Sequence, residues 1–142
     1  MPAPQIVIDT NVIVAGLRSK NGSAFRLLEL VGGERFDIHL SVPLVLEYEE
    51  VLLRELPNFA INASDIQDFI DFHCVVADHH QIFFLWRPYL RDPKDDMVLE
   101  LAVKARCDSV ITYNLRDFVG IDKFGITAVT PAKFLESIGV FS

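Results

Sequence analysis

The feature that most constrains this chain is a three-residue run, Ile6-Val7-Ile8, wholly apolar and ended abruptly by a carboxylate at Asp9. A short run without alternation suits a strand buried on both faces, and such strands belong to sheets covered by helices on either side. A carboxylate at the end of that strand is expensive to bury unless it is paired, hydrogen-bonded or bound to a cation. Its ordinary duty would be to cap the helix whose pattern begins near Val12.

The rest of the chain alternates in the same manner. Gly22-Ser23 opens a helix through Leu27, Leu28 and Val31 that Gly32-Gly33 stops, and Phe36 to Leu40 reads as a strand. Ser41 caps a helix with Pro43 in its first turn, running to about Leu53, and Ser64 begins another with Ile66, Phe69, Ile70 and His73. Gln81 to Trp86 is a β-like run. Asp92-Pro93-Lys94-Asp95 combines an N-cap, a proline at the first helical position and a first-turn acid, opening a helix to about Arg106. Strands at Ser109–Thr112 and Gly125–Val129 and a helix over Pro131–Ile138 complete the pattern. Strands alternating with helices indicate an α/β sandwich around a mainly parallel sheet, in which ligands sit at the carboxyl ends of the strands. Asp9 and the segment from Tyr113 to Asp117 fall at such ends.

Length and composition narrow the class. With 142 residues, 51% of them hydrophobic, the chain suits one domain around one core and is not a disordered polymer. It contains no stretch long and apolar enough to span a bilayer, and Met-Pro-Ala-Pro-Gln does not read as a signal peptide. Cys74 and Cys107 are too few for a disulfide framework and lack metal-finger spacing, so they read as reduced thiols. A cytoplasmic location follows by default. The net charge of −7 is awkward for a nucleic-acid binder, because phosphate contacts normally rely on Lys and Arg. Either the substrate is not a polyanion, or part of the negative charge is a site that becomes locally positive when a metal occupies it.

The acids are placed to make such a site. Asp9 follows the first strand, and Glu47 lies on the helix after the second, ahead of Glu49 and Glu50, which read as a solvated face. Asp95 and Asp96 begin the helix before the next strand, and Asn114 and Asp117 come after that strand. Each has an ordinary reading: Asp9 and Asp92 as caps, Asp95 as a first-turn acid, Asp117 as the cap of a short turn. Jointly, in a parallel α/β fold, those places can converge on one edge of the sheet. Two carboxylates ~4 Å apart repel by roughly 4 kcal/mol at an effective dielectric of 20. A cluster of three or four therefore calls for cations, and oxygen ligands suit Mg²⁺ or Mn²⁺.

Other chemistries find less support. Asp78-His79-His80 spells a phosphoesterase signature, but the further Asp and His motifs are missing, and a polar loop explains it. Gly32-Gly33 is followed by Glu-Arg, not by a Lys-Ser/Thr phosphate loop, and no nucleophile elbow is present. Phe36, Phe83, Phe84 and Trp86 are more often core or dimer contacts than base-stacking platforms. Of the scattered cations, Arg116 neighbours Asn114 and Asp117 and is the best candidate to touch a substrate phosphate.

Val-Ile-Asp-Thr-Asn-Val at 7–12 resembles the opening motif of PIN domains. Arg-Asp-Pro-Lys-Asp-Asp at 91–96, with Val-Ile-Thr-Tyr-Asn-Leu-Arg-Asp-Phe at 110–118, is similar to their second half, and Ala-Val-Thr-Pro-Ala-Lys-Phe-Leu at 128–135 to the end of PIN-type toxin components. The resemblance spans essentially the whole chain, 1–142. It implies a three-layer α/β/α sandwich with a five-stranded, mainly parallel sheet. It implies a divalent-metal-dependent endoribonuclease, the toxin of a toxin–antitoxin pair, with an RNA substrate, a small antitoxin partner and a homodimeric state. It carries the family's acids onto Asp9, Glu47 and Asp96 as Mg²⁺ or Mn²⁺ ligands; helical periodicity does not by itself separate Asp96 from Asp95. At the fourth corner, position 114 is often Asp in the family and is Asn here, a neutral ligand, with Asp117 one turn on as a source of the missing charge. Thr10, Asn11 and Thr112 would orient the carboxylates or a bound water. One metal would bring −7 to −5 and two would bring it to −3. The other class of reading is a catalytically weak PIN-like module that binds RNA or protein, for which Asn114 and the acidic balance speak. A receiver-like phosphoacceptor would need a paired acid before the first strand's end and a late Lys, and neither is visible.

Overall fold

The computed structural model describes residues 2–82 and 89–140. Strand β1 (Gln5–Ile8) leads into α1 (Thr10–Arg18) and α2 (Ser23–Glu29), then β2 (Asp37–Leu40), α3 (Val42–Arg54), α4 (Ala63–Val76) and β3 (Asp78–His79). Further along the chain come α5 (Pro93–Lys104), β4 (Ser109–Ile111), β5 (Thr127–Val129) and α6 (Pro131–Ser137). Short 3₁₀ turns occupy Leu56–Asn58, Leu115–Phe118 and Ile121–Phe124.

The five strands are ordered β3-β2-β1-β4-β5, and every pairing among the described residues is parallel. Register is set by Ile6 opposite both Ile38 and Ser109, so β1 is the central strand. Ile6, Val7 and Ile8 are almost wholly buried, as the apolar run requires. The crossovers from β1 to β2 and β2 to β3 run one way across the sheet, whereas the connection through α5 runs back to β4. Right-handed crossovers therefore place α5 on the opposite face from α1 to α4, giving the three-layer α/β/α sandwich. The reversal lies between β1 and β4. Their carboxyl ends flank the crevice where open α/β sheets bind ligands.

Local signals explain most boundaries. Ser41 accepts from the Leu44 amide (3.3 Å) and Pro43 sits in the first turn of α3. Asp92 accepts from the Lys94 amide (2.9 Å) ahead of Pro93 in α5. Helix α4 starts one residue before the expected Ser64, because Asn62 and Asp65 form a reciprocal capping box. The polar pair Asp78–His79 is a strand where a loop was expected. Its backbone pairs with β2 at the sheet edge, and His80 donates its amide to the Leu40 carbonyl (2.9 Å). An edge strand needs no apolar alternation, so composition does not reveal it. Of the expected run from Gln81 to Trp86, Gln81 and Ile82 belong to no strand and the rest lies outside the described residues.

The histidines serve the fold. His39 Nδ1 lies 2.8 Å from His80 Nε2 and its Nε2 lies 2.6 Å from Gln5 Oε1. His73 is buried in α4 with Nδ1 on the Phe69 carbonyl (2.8 Å), and Nε2 has no partner among the described residues.

Two outcomes follow for stability. A Cβ on Gly16 would stand 2.4 Å from Leu28 Cδ1 and 3.3 Å from the Ala24 backbone carbon, where α1 meets α2. Gly16→Val should cost about 1–3 kcal/mol by urea denaturation. Burial holds the His73 imidazole below its ordinary value of 6.5. The unfolded chain then takes up a proton near pH 6.5 that the folded chain resists, so stability falls as pH drops below that value. His73→Phe should flatten this part of the stability profile, measured by denaturation between pH 5 and 8.

Candidate metal centre

The carboxyl end of β1 is where the site begins. The Asp9 amide donates to the Ile111 carbonyl (2.9 Å), tying the end of β1 to β4. Its side chain is only 7% exposed and each oxygen has a task. Oδ1 accepts from the Thr10 amide (2.9 Å), capping α1, while Oδ2 accepts from the Thr112 hydroxyl (2.8 Å) and from Asn11 Nδ2 (3.2 Å). Burial pushes the Asp9 carboxyl above its ordinary value, the bonds from Thr112 and Thr10 oppose this, and Glu47 and Asp117 add to the rise.

Asn11 and Thr112 also order the loop after β4. Asn11 Nδ2 reaches the Thr112 hydroxyl (3.3 Å), Asn11 Oδ1 accepts from the Tyr113 amide (3.2 Å), and the Thr112 hydroxyl accepts from the Asn114 amide (3.0 Å). Asn114 is thereby held beside Asp9, and its carbonyl accepts from the Asp117 amide (3.0 Å).

Helix α3 delivers the second acid. The buried Tyr48 hydroxyl donates to the Ile8 carbonyl, pinning α3 to the end of β1. The adjoining Glu47 is mostly buried; its Oε2 accepts from the Thr10 hydroxyl and its Oε1 lies 3.8 Å from Lys94 Nζ. Lys94 was not singled out from the sequence. Its signal was a cation in the first turn of a helix, where the dipole favours anions.

Helix α5 brings two adjacent acids with different surroundings. Asp96 Oδ1 accepts from the Leu90 amide (2.7 Å) and the Tyr89 amide (3.1 Å), so its carboxylate fixes the approach to the helix. Asp95 points elsewhere, since consecutive helical residues are about 100° apart. It shares a cleft of ≈ 660 Å³ with Asp9, Glu47, Asn114 and Lys94. Its carboxyl is pushed up to about 7, first by burial and then by Asp9, Asp92, Asp117 and Glu47. The geometry thus sets Asp95 among the other acids, where the sequence resemblance had placed Asp96. The 100° rotation that distinguishes them depends on how α5 is seated on the sheet.

Asp117 and Arg116 are exposed on the 3₁₀ turn after β4. Asp117 is close enough to Asp9 and Asp95 to raise both. Among the described residues, no three His, Cys, Asp or Glu side chains already stand in metal-holding geometry. The donor set nevertheless fits a hard divalent ion: carboxylates and an amide oxygen, with the protonation cost on Asp95 that a cation would relieve.

The protein is thus a three-layer α/β/α sandwich with acids and an amide side chain lining a cleft at its strand-order reversal. The PIN domain family profile matches residues 5–116, and the chain belongs to that family. No curated protein matches the chain. The crystal structure of VapBC2 from Rickettsia felis bound to a DNA fragment from their promoter contains a chain with the same fold. The two are 14% identical with a TM-score of 0.61, over 87% of this chain and 98% of the other.

The supports of Asp9 can be tested directly. Thr112→Val keeps the side-chain shape but removes the hydroxyl, leaving Asp9 Oδ2 with Asn11 alone. Losing a hydrogen bond to a buried carboxylate should cost about 1.5–3 kcal/mol in guanidinium denaturation at neutral pH. Unchanged stability would show that Asp9 does not depend on Thr112.

Proposed function

We propose that residues 1–142 form one PIN-type nuclease domain, a divalent-metal-dependent endoribonuclease and the toxin of a toxin–antitoxin pair. The observation that carries this reading is the single cleft that Asp9, Glu47, Asp95 and Asn114 line from separate elements, with the Asp95 carboxyl pushed up by burial and by its acidic neighbours. Asp9, Glu47, Asp95 and Asp117 would hold Mg²⁺ or Mn²⁺, with Asn114 as a neutral oxygen ligand. A cation held there would supply Lewis acidity, favouring ionisation of a water and offsetting negative charge on the phosphoryl and leaving oxygens.

The chain's own side chains position and neutralise. Thr112 and Asn11 keep Asp9 Oδ2 in place, and Thr10 orients Glu47. Lys94, 3.8 Å from Glu47, partly offsets its charge at the margin of the cleft. Arg116 would contact a phosphate oxygen of the RNA. Asp96 is assigned to ordering the loop before α5, because both backbone amides there depend on it.

The same reading gives the protein a small antitoxin partner and a homodimeric state, in the cytoplasm. It is supported by the likeness to a chain of the VapBC2 complex and by exposed apolar side chains that partner contacts would cover, Val42, Leu46 and Leu53 on α3 and Phe72 and Val75 on α4. No described helix is long and apolar enough to cross a membrane. The competing reading, a weakly catalytic module that acts by binding, draws on Asn114, which leaves the fourth corner with less charge than an Asp would.

Incubation with a labelled RNA pool distinguishes them. Cuts that require Mg²⁺ or Mn²⁺ and stop with EDTA are expected; retention without cuts favours the binding module. Asp9→Asn and Asp95→Asn should each lower cleavage on the order of 10²–10³-fold. Asp96→Asn retains an oxygen acceptor for the two amides and should keep most activity. The reverse order of the two α5 variants would return the ligand role to Asp96.

A further inference from the structure

The cleft that holds Asp9 and Glu47 adjoins a second one. Asp92 and Asp95 line both, and the second, of ≈ 480 Å³, also carries Arg91, Arg116, Tyr89 and Val119. Its arginines, like the exposed Arg106, lack among the described residues the carboxylate partner that three other surface arginines have. Arg18 pairs with Glu55, Arg26 with Glu29 and Arg54 with Glu50, as expected in a chain with 20 acids and 13 bases. Arg91 and Arg116 form no ion pair or hydrogen bond with any described residue, although Asp92, Asp95 and Asp117 line the same cleft.

The apolar part of this cleft is fixed in place. The Tyr89 hydroxyl donates to the Gly120 carbonyl (3.3 Å), and its ring meets Phe124 edge-on at 5.3 Å. Lys123 Nζ lies 4.1 Å from the ring centroid, adding a third cation at the margin. Tyr89 remains 38% exposed and Val119 74% exposed. Two guanidinium groups without carboxylate partners, beside an exposed aromatic and an exposed aliphatic side chain, match the two halves of a nucleotide.

We propose that this second cleft seats the nucleotide next to the scissile phosphodiester of a single-stranded RNA. Arg91 and Arg116 grip its phosphate, and Tyr89 and Val119 give its base an apolar wall. This rests on the nuclease reading for the identity of the neighbouring cleft. The planar fork of arginine matches phosphate oxygens bidentately, which explains two arginines here and not lysines. An unpaired base needs an exposed apolar surface, and a duplex would not offer one to Tyr89. Because Asp95 borders both clefts, a strand held in the second is led directly to the carboxylates. The cleft also answers the charge problem, since phosphate contacts are concentrated where acids leave arginines unpaired.

The test uses the full chain carrying Asp9→Asn, which removes one proposed ligand and suppresses cleavage, with labelled oligo(U) in Mg²⁺ as the probe. Adding Arg91→Gln and Arg116→Gln together should weaken binding roughly ten-fold or more. The slope of log affinity against log salt should become shallower by about 1.4, near 0.7 for each lost phosphate contact to a single strand. Arg91→Lys with Arg116→Lys should keep most of the slope while losing affinity. Binding of Mn²⁺ alone, followed by calorimetry on the chain without Asp9→Asn, should be unchanged by the Gln pair. Both arginines are exposed, so the variants should fold normally, which circular dichroism checks. Unchanged oligo(U) affinity and slope, or no oligo(U) binding at all, overturns the proposal. Failure of the nuclease reading is seen separately, as the absence of metal-dependent RNA cleavage by the unaltered chain.

Discussion

The structure depends on a buried carboxylate. Asp9 ends a strand with apolar contacts on both faces, and a charge in that position is tolerable only with its oxygens satisfied. The Thr10 amide, the Thr112 hydroxyl and the Asn11 amide supply the bonds, and those residues come from α1 and from the end of β4. Satisfying Asp9 therefore fixes three things together: where α1 starts, how β4 lies against β1, and where the chain turns at Asn114. Tyr48 extends the arrangement to α3 by bonding the last carbonyl of β1.

That order has an electrostatic cost. Seating α3 and α5 around the strand-order reversal brings Glu47, Asp92 and Asp95 toward Asp9, with Asp117 approaching from the 3₁₀ turn. Burial and the neighbouring carboxylates raise Asp9, and they push the partly buried Asp95 up to about 7. A fold selected only for stability would not gather these groups. Natural proteins accept such local conflicts where function requires them, and a divalent cation would convert the repulsion into attraction. Lys94 partly offsets Glu47, at the less favourable end of a helix dipole.

How much of this was legible varies residue by residue. The Ile6–Ile8 run, the Ser41 cap with Pro43 and the Asp92-Pro93 helix start were readable because local chemistry alone dictates them. The family could be recognised from the ordered acids and their neighbours. Strand β3 was not readable, because at an edge the backbone pairs with one neighbour and the side chains of Asp78 and His79 stay in solvent. The separate fates of Asp95 and Asp96 were equally hidden. Both suit the first turn of a helix, and only the seating of α5 against β1, β2 and β4 turns one toward Asp9 and the other toward the amides of Tyr89 and Leu90.

The sequence by itself determined the alternation of strands and helices, the buried central strand, and the supply of acids at element ends. Those follow from periodicity, capping and solvation, which act over a few residues. The tertiary structure decided which acids meet, which arginines find no ion pair among the described residues, and which cleft lies beside which. Those depend on the order of strands in the sheet and on helix rotation, and a carboxylate's field extends to whatever residue the fold places next to it, however distant along the chain.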